Sequence, residues 1–233
     1  MKELTIAVVG ATGAVGTEFL RIMDQRHPRM PNIKALASSR SAGKRLMVGD
    51  RELVVEETTE ESFAGVDIAF ISVDGDISRR LGPVAVAAGA VVIDDSSAFR
   101  MQEDVPLVVP EVNGADVEWH QGIISIPNCS TTPLAMVAHP LHRVTPIVRI
   151  VADTYQSVSG AGSAPMEELQ EQSRDVLEGK KVQPQAIAHQ IAFNVIPHID
   201  RFLDDGYTYE EQKMLQETRK IMHAPDIRLS ATC

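Results

Sequence analysis

A chain of 233 residues with 32 acidic and 22 basic side chains carries a formal charge of −10, which argues against a protein that grips a nucleic-acid backbone with clustered positive charge. With 44% apolar and 23% charged residues it reads as a globular sequence with one large core or two modest ones. Its longest uncharged apolar run, Gly82 to Ile93, is too short to span a bilayer, and two cysteines are too few for a disulfide scaffold, so no membrane partner is expected and a reduced, cytoplasmic setting is.

The elements follow in chain order. Leu4–Val9 is an apolar run closed by glycine, so it reads as a buried first strand and not as part of a signal peptide. Ala14–Gln25 sets Val15, Phe19 and Ile22 on one helical face. Ile33–Ala37 is a second strand, and Lys44–Glu57 alternates around Gly49-Asp50 as a hairpin. Asp67–Ser72 and Ala90–Asp94 are further buried strands with a helix over Ile77–Ala88 between them. Strands alternating with helices predict an α/β fold, a Rossmann-type doubly wound parallel sheet. Beyond a strand at Gly122–Ile126 the character changes. A helix is expected from Thr132, with Thr132 as N-cap and Pro133 at the first helical position, to about His142. A long strand at Ile147–Ser157, helices at Ser163–Leu177 and Thr208–Met222, and a strand at Asp226–Thr232 complete an α+β half. The second of those helices opens with a Thr208/Glu211 capping box. The predicted domains are 1–127, binding a dinucleotide, and 128–233, catalytic and dimerising.

Two places carry chemistry in the residues themselves. Gly10-Ala11-Thr12-Gly13-Ala14-Val15-Gly16 follows a strand and opens a helix. In that context Gly10 permits a tight turn, Gly13 lets the backbone amides around Thr12, Ala14 and Val15 approach a pyrophosphate, and Gly16 permits close helix–sheet packing. After the second strand stands Ser38-Ser39-Arg40-Ser41, with no acid to accept from a ribose hydroxyl. Arg40, Ser38 and Ser41 suit a 2′-phosphate instead, so the expected cofactor is NADP. The other place is Cys129, between a strand and a helix. A helix N-terminus lowers a thiol's pKa, and Asn128, Ser130 and Thr131 offer donors for a developing oxyanion. Spacing alone leaves two readings of Cys129 open, a nucleophile or a small core residue. Cys233 reads as core. No metal is expected.

The sequence resembles aspartate-semialdehyde dehydrogenases from Ile6 to Cys233. The matching pieces are GATGAVG (10–16), SSRSAG (38–43), DDSSAFR (94–100), VPLVVPEVN (105–113), PNCSTTP (127–133), TYQSVSGAG (154–162), AFNVIPHID (192–200), YTYEEQKM (207–214) and SATC (230–233). The resemblance implies an NADP-linked, phosphorylating oxidoreductase of lysine, threonine and methionine biosynthesis, with a cysteine thioester and a homodimeric or homotetrameric assembly. It implies Cys129 as the nucleophile and Gln156 as the residue that orients the substrate. Arg100, Asn128 and Lys213 would hold phosphate or line its pocket, and Glu210 the substrate's amino group. Ser72, Ser159 and Gly160 would lie near the cofactor, which for Ser72 agrees with ligand binding beyond the carboxyl ends of parallel strands.

Three departures from the family pattern stand out. Asp95 occupies a position where the family often has asparagine, and Val73-Asp74-Gly75 follows Ser72 where small residues are usual. The family's carboxylate-binding arginine and general-base histidine would follow Cys233, and none of the seven histidines falls in the matching motif. The expectation is therefore a C-terminally incomplete chain with little turnover of its own. An N-acetylglutamyl-phosphate reductase-like enzyme and a non-catalytic NADP-binding, oligomerising paralogue are the alternatives.

Overall fold

Strand β1, Thr5–Val9, is apolar after its first residue and buried from Ile6 onward. In the computed structural model, which describes residues 4–27 and 31–233, it lies in the middle of a parallel sheet. The remaining elements of the first half are α1 (Ala14–Arg26), β2 (Asn32–Ala37), β3 (Arg45–Val48), β4 (Arg51–Val54), β5 (Glu56–Glu57), β6 (Ile68–Ile71), α2 (Gly75–Ala87), β7 (Val91–Asp94), α3 (Pro110–Asn113) and β8 (Ile123–Ser125). The strand order is β5-β2-β1-β6-β7-β8, every pair parallel. β3 and β4 form the expected hairpin, while β5 leaves it to join the sheet edge beside β2.

Alternation along the strands explains why both faces are covered. Ala7 and Val9 pack with Ile71 and with Leu81 and Ala85 of α2. Ile6 and Val8 point the other way, to Leu20 of α1 and Phe70. A period of two thus feeds one helix on each face, as a doubly wound sheet requires. Burying a side chain such as Leu20 stabilises by roughly 1.5–3 kcal/mol relative to exposure. Phe19 and Phe70 stack at 4.2 Å between ring centroids.

The chain divides into two compact units, Met1–Asn128 and Cys129–Cys233. The second holds α4 (Thr131–Val144), β9 (Arg149–Asp153), α5 (Ser163–Leu177), α6 (Tyr209–Ile221) and β10 (Arg228–Thr232). β9 and β10 pair in parallel, and α6 covers them through Met214, which packs with Ala231, Cys233 and Ala152. Cys233 is therefore a core residue, as expected. On α5 the buried Glu168 accepts from the amides of Gln185, Ala186 and Ile187, and Gln172 from those of Ile191 and Ala192. These two side chains replace a ladder for a segment that has none of its own.

Several element ends differ from expectation by one or two residues, and two differ where they bear on the site. α4 begins at Thr131 with Ser130 as N-cap, not at Pro133 with Thr132 as N-cap. A proline two residues further in loses nothing, because the first amides of a helix have no intrahelical partner. β9 ends at Asp153 instead of Ser157; the Thr154 amide still donates to the Thr232 carbonyl at 3.0 Å, while the Thr154 and Gln156 side chains find side-chain partners.

The capping box at α6 forms as read. Thr208, buried, accepts from the Glu211 amide at 3.3 Å, and Glu211 accepts from the Thr208 amide at 2.7 Å. Thr208→Ala is expected to destabilise the chain by about 1 kcal/mol, measured by urea denaturation.

Candidate active site

In the first unit the sheet changes direction between β1 and β6, the place where open α/β sheets bind ligands. Gly10 ends β1 with φ +86°, and a Cβ there would stand 2.2 Å from the Ser72 carbonyl oxygen at the end of β6. A Cβ on Gly16 would stand 2.2 Å from the Gly10 carbonyl oxygen. The glycines thus bring α1 and both strand ends into backbone contact. Gly13 is the N-cap of α1 and offers no side chain to the first amides, while Gly13, Ala14 and Val15 are exposed and the first turn holds no acid. Thr12 donates to Ser41 at 3.5 Å across the turn that carries exposed Arg40. This donor set of free amides, hydroxyls and one guanidinium suits a pyrophosphate and a further phosphate.

Beside it, the ends of β6 and β7 are laced together. Ser72 donates to the Asp95 carboxylate at 2.9 Å, and Arg100 donates to the Asp95 carbonyl at 2.8 Å. Asp94, fully buried, accepts from Ser78 of α2 and, at 2.7 Å, from Ser96. Burial pushes the Asp94 carboxyl up against those two hydroxyls, which favour its charge. Ser96 in turn accepts from the Ala98 amide, so Asp94 shapes the turn that carries buried Arg100. Two of the three departures have local explanations. Asp95 fills an acceptor role that needs no amide, and Asp74 caps α2 by accepting from the Asp76 and Ile77 amides.

The second unit assembles the thiol's surroundings. Cys129 is exposed and precedes the N-cap of α4, next to buried Asn128 and Ser130. Glu210, buried on α6, accepts from Gln156 Nε2 at 3.0 Å and from Ser130 Oγ at 3.4 Å. Gln156 is itself oriented by Thr154, which donates to its Oε1 at 2.7 Å. One turn along α6, Lys213 Nζ lies 2.8 Å from Glu210 and 3.1 Å from Asp200. Burial disfavours the Lys213 charge, but Glu210 and Asp200 outweigh it and lift its pKa above the ordinary lysine value.

The surroundings of the sulfur correct the reading of Cys129. Partial burial of the sulfur by its surroundings pushes the thiol pKa up, and the negative charge of Glu210 adds to this. The amides of Ser130 and Cys129 and the Lys213 ammonium pull the other way without winning. A helix N-terminus alone would have lowered it.

The sequence matches the family described as "Semialdehyde dehydrogenase, NAD binding domain" over residues 5–120 and "Semialdehyde dehydrogenase, dimerisation domain" over residues 139–233. It is 47% identical to the aspartate-semialdehyde dehydrogenase of Bacillus subtilis along the whole chain, which spans 69% of that protein. The chain belongs to the aspartate-semialdehyde dehydrogenase family. Among solved structures of this family, the crystal structure of aspartate semialdehyde dehydrogenase II from Vibrio cholerae complexed with ASA superposes with a TM-score of 0.96 at 41% identity, covering 100% of this chain and 70% of that one. The structure of the Candida albicans aspartate semialdehyde dehydrogenase with NADP aligns over 99% of this chain and 67% of that one, with a TM-score of 0.75 at 26% identity.

Of the expected site residues, Cys129, Gln156, Glu210 and Lys213 lie in the second unit, and Gly10, Thr12, Gly13, Ala14, Val15, Gly16, Ser38, Arg40, Ser41, Ser72, Arg100 and Asn128 in the first. Ser159 and Gly160 belong to the second unit, where Ser159 donates to Ser157 in the turn before α5. Residue patterns alone did not point to Thr154, Asp200 or Tyr209. Lys213 and Arg201 both approach the Tyr209 ring, at 5.0 and 5.1 Å from its centroid. An acid ending the AFNVIPHID piece was a visible signal for Asp200, but no spacing tied it to Lys213. Among the described residues no helix is long and apolar enough to cross a membrane, and no cluster of His, Cys, Asp and Glu could hold a metal.

Proposed function

We propose that this chain takes part in the reversible, NADP-dependent, phosphorylating oxidation of L-aspartate 4-semialdehyde to L-4-aspartyl phosphate. The observation that carries this reading is the network joining Ser130, next to Cys129, to Glu210, Gln156 and Lys213. It sets a thiol beside one amide, one carboxylate and one ammonium, the groups needed to handle an amino acid aldehyde and an anion.

Gly10, Gly13, Gly16, the amides of Thr12, Ala14 and Val15, and Ser72 would hold the nucleotide, with Ser38, Arg40 and Ser41 at its 2′-phosphate and Ser159 and Gly160 nearby. NADP, when bound, supplies the hydride acceptor or donor. The Cys129 thiolate bonds to the carbonyl carbon of the substrate, so that oxidation leaves a thioester. A phosphate oxygen then attacks that thioester carbon, and the carbon–sulfur bond breaks to return the thiolate. Gln156 orients the carbonyl, and Asn128 lines the same pocket. Lys213 holds the anion and Glu210 the substrate ammonium, and Arg100 of the first unit is assigned an anion-binding role of its own. A cytoplasmic homodimer or homotetramer serving lysine, threonine and methionine synthesis fits the −10 charge and the dimerisation-domain match.

The test is NADP reduction by aspartate semialdehyde with and without phosphate, in the complete product of its gene. Phosphate-dependent reduction, lost by at least about 10³-fold in Cys129→Ala, is expected. Reduction that ignores phosphate, or survives without Cys129, overturns the reading.

Arg40 carries the nucleotide preference. Arg40→Ala is expected to weaken NADP binding by about tenfold or more while leaving NAD within about twofold, by calorimetric titration. Equal loss for both nucleotides would remove Arg40 from the 2′-phosphate.

A further inference from the structure

We infer that the Asp200 carboxylate is an internal stand-in for the anion that Lys213 binds, and that inorganic phosphate must displace it to enter. This rests on the reading of Lys213 as an anion ligand and says what that ligand does before the anion arrives.

The geometry carries it. The Lys213 ammonium has three donors. One is directed to Glu210 at 2.8 Å and another to Asp200 at 3.1 Å. Glu210, Lys213 and Asp200 together sum to one negative charge. An arriving anion therefore meets repulsion at its own lysine unless one carboxylate leaves. The two carboxylates are not equivalent. The Glu210 side chain is 5% exposed and is fixed by Gln156 and Ser130. The Asp200 side chain is 34% exposed and sits on irregular backbone. Turned to water, Asp200 regains solvation that Glu210 could not.

The chain around Asp200 is arranged for a side-chain movement alone. The Tyr209 amide donates to the Arg201 carbonyl at 2.9 Å, and Phe202 bridges Thr208, so the backbone beside Asp200 is tied to the start of α6. Asp200 itself has φ +69°, a left-handed conformation that aspartate and asparagine tolerate better than most residues. Its other oxygen accepts from the Arg201 amide at 2.8 Å, a contact that an asparagine carbonyl can keep. Asp200→Asn therefore removes charge while preserving shape, local bond and backbone.

The experiment is calorimetric titration of the intact chain with inorganic phosphate at neutral pH, with thermal melts to confirm folding. Asp200→Asn is expected to bind phosphate about three- to tenfold more tightly than wild type, the effect of deleting one partly exposed competing charge. Asp200→Gly also accepts a left-handed backbone, and it is expected to shift affinity in the same direction should the asparagine variant fold poorly. Unchanged or weaker binding in the folded variants overturns the inference and makes Asp200 a residue that merely positions Lys213. Lys213→Met separates this from its parent reading. It is expected to weaken phosphate binding by about tenfold or more. If Lys213→Met leaves affinity unchanged, the anion role of Lys213 falls and this inference with it. If Lys213→Met weakens binding but Asp200→Asn does not tighten it, only the stand-in role fails.

Discussion

Alkylation of Cys129 by iodoacetamide is expected to accelerate about tenfold for each pH unit between about pH 6 and about pH 8, with no plateau at neutrality. The sign follows from the groups around the sulfur. Burial and Glu210 both disfavour the thiolate, so the thiol pKa lies above its ordinary value. Below that pKa the thiolate fraction grows tenfold per unit, and the reaction follows the thiolate. Selective labelling at mildly acidic pH is thus not expected of the ligand-free chain. Glu210→Gln removes one of the two opposing causes and leaves Lys213 in place. It is expected to alkylate about three- to tenfold faster at neutral pH. Peptide mass spectrometry separates the sites, because Cys233 is buried against Met214 and is expected to label slowly. A plateau below pH 7 in the wild-type chain would show that the helix N-terminus governs the thiol after all. An unchanged rate in Glu210→Gln would remove Glu210 as the cause.

That correction shows where sequence reading reaches its limit. The helix after Cys129 is legible, because Pro133 and an apolar periodicity announce it. A helix end then argues for a lowered pKa. What reverses the sign is first the partial burial of the sulfur and then Glu210, 81 residues further on, whose carboxylate is buried where α6 packs with β10. Local spacing shows that Glu210 and Lys213 share a helix face. It does not show that the face is turned inward, since an exposed i,i+3 ion pair has the same spacing. Asp200 was less legible still. Its contact with Lys213 depends on a left-handed residue in irregular chain, for which the sequence holds no periodic signal.

The sheet was more legible, since β1, β6, β7 and β8 are short apolar runs closed by a glycine, a serine or an aspartate, whereas β5, two glutamates at the sheet edge, carries no such signal. Even the switch between β1 and β6 was implicit in alternating strands and helices. The misread ends, at Thr131 and Asp153, lie where periodicity carries no signal: the first turn of α4 has amides without intrahelical partners, and beyond Asp153 the Thr154 and Gln156 side chains bond to each other. Arg100 lay in a motif, but nothing in its spacing shows that its side chain is buried. The Asp94–Ser96 turn is what draws it inside.

Gly10→Ala is expected to destabilise the chain by about 3 kcal/mol or more and to abolish measurable dinucleotide binding. Two effects add. The first is conformational, since φ +86° costs an L-residue roughly 1–2 kcal/mol. The second is steric. The new Cβ would stand 2.2 Å from the Ser72 carbonyl oxygen, a backbone atom that cannot swing aside. Either β1 or β6 must shift, although the Gly10 and Ala11 amides both donate to the Leu36 carbonyl, at 2.9 and 3.0 Å, and hold the turn where it is. Gly43→Ala is the control. Gly43 has a similar φ of +82° but nothing within 4 Å of its would-be Cβ. It is expected to cost only the conformational part, about 1 kcal/mol. The difference between the two variants, read by urea denaturation, isolates the contact at the sheet's switch point. If Gly10→Ala costs no more than Gly43→Ala, the strand ends yield easily. The glycine would then serve the turn's conformation alone, and the close approach of β1 to β6 would not be what shapes the nucleotide site.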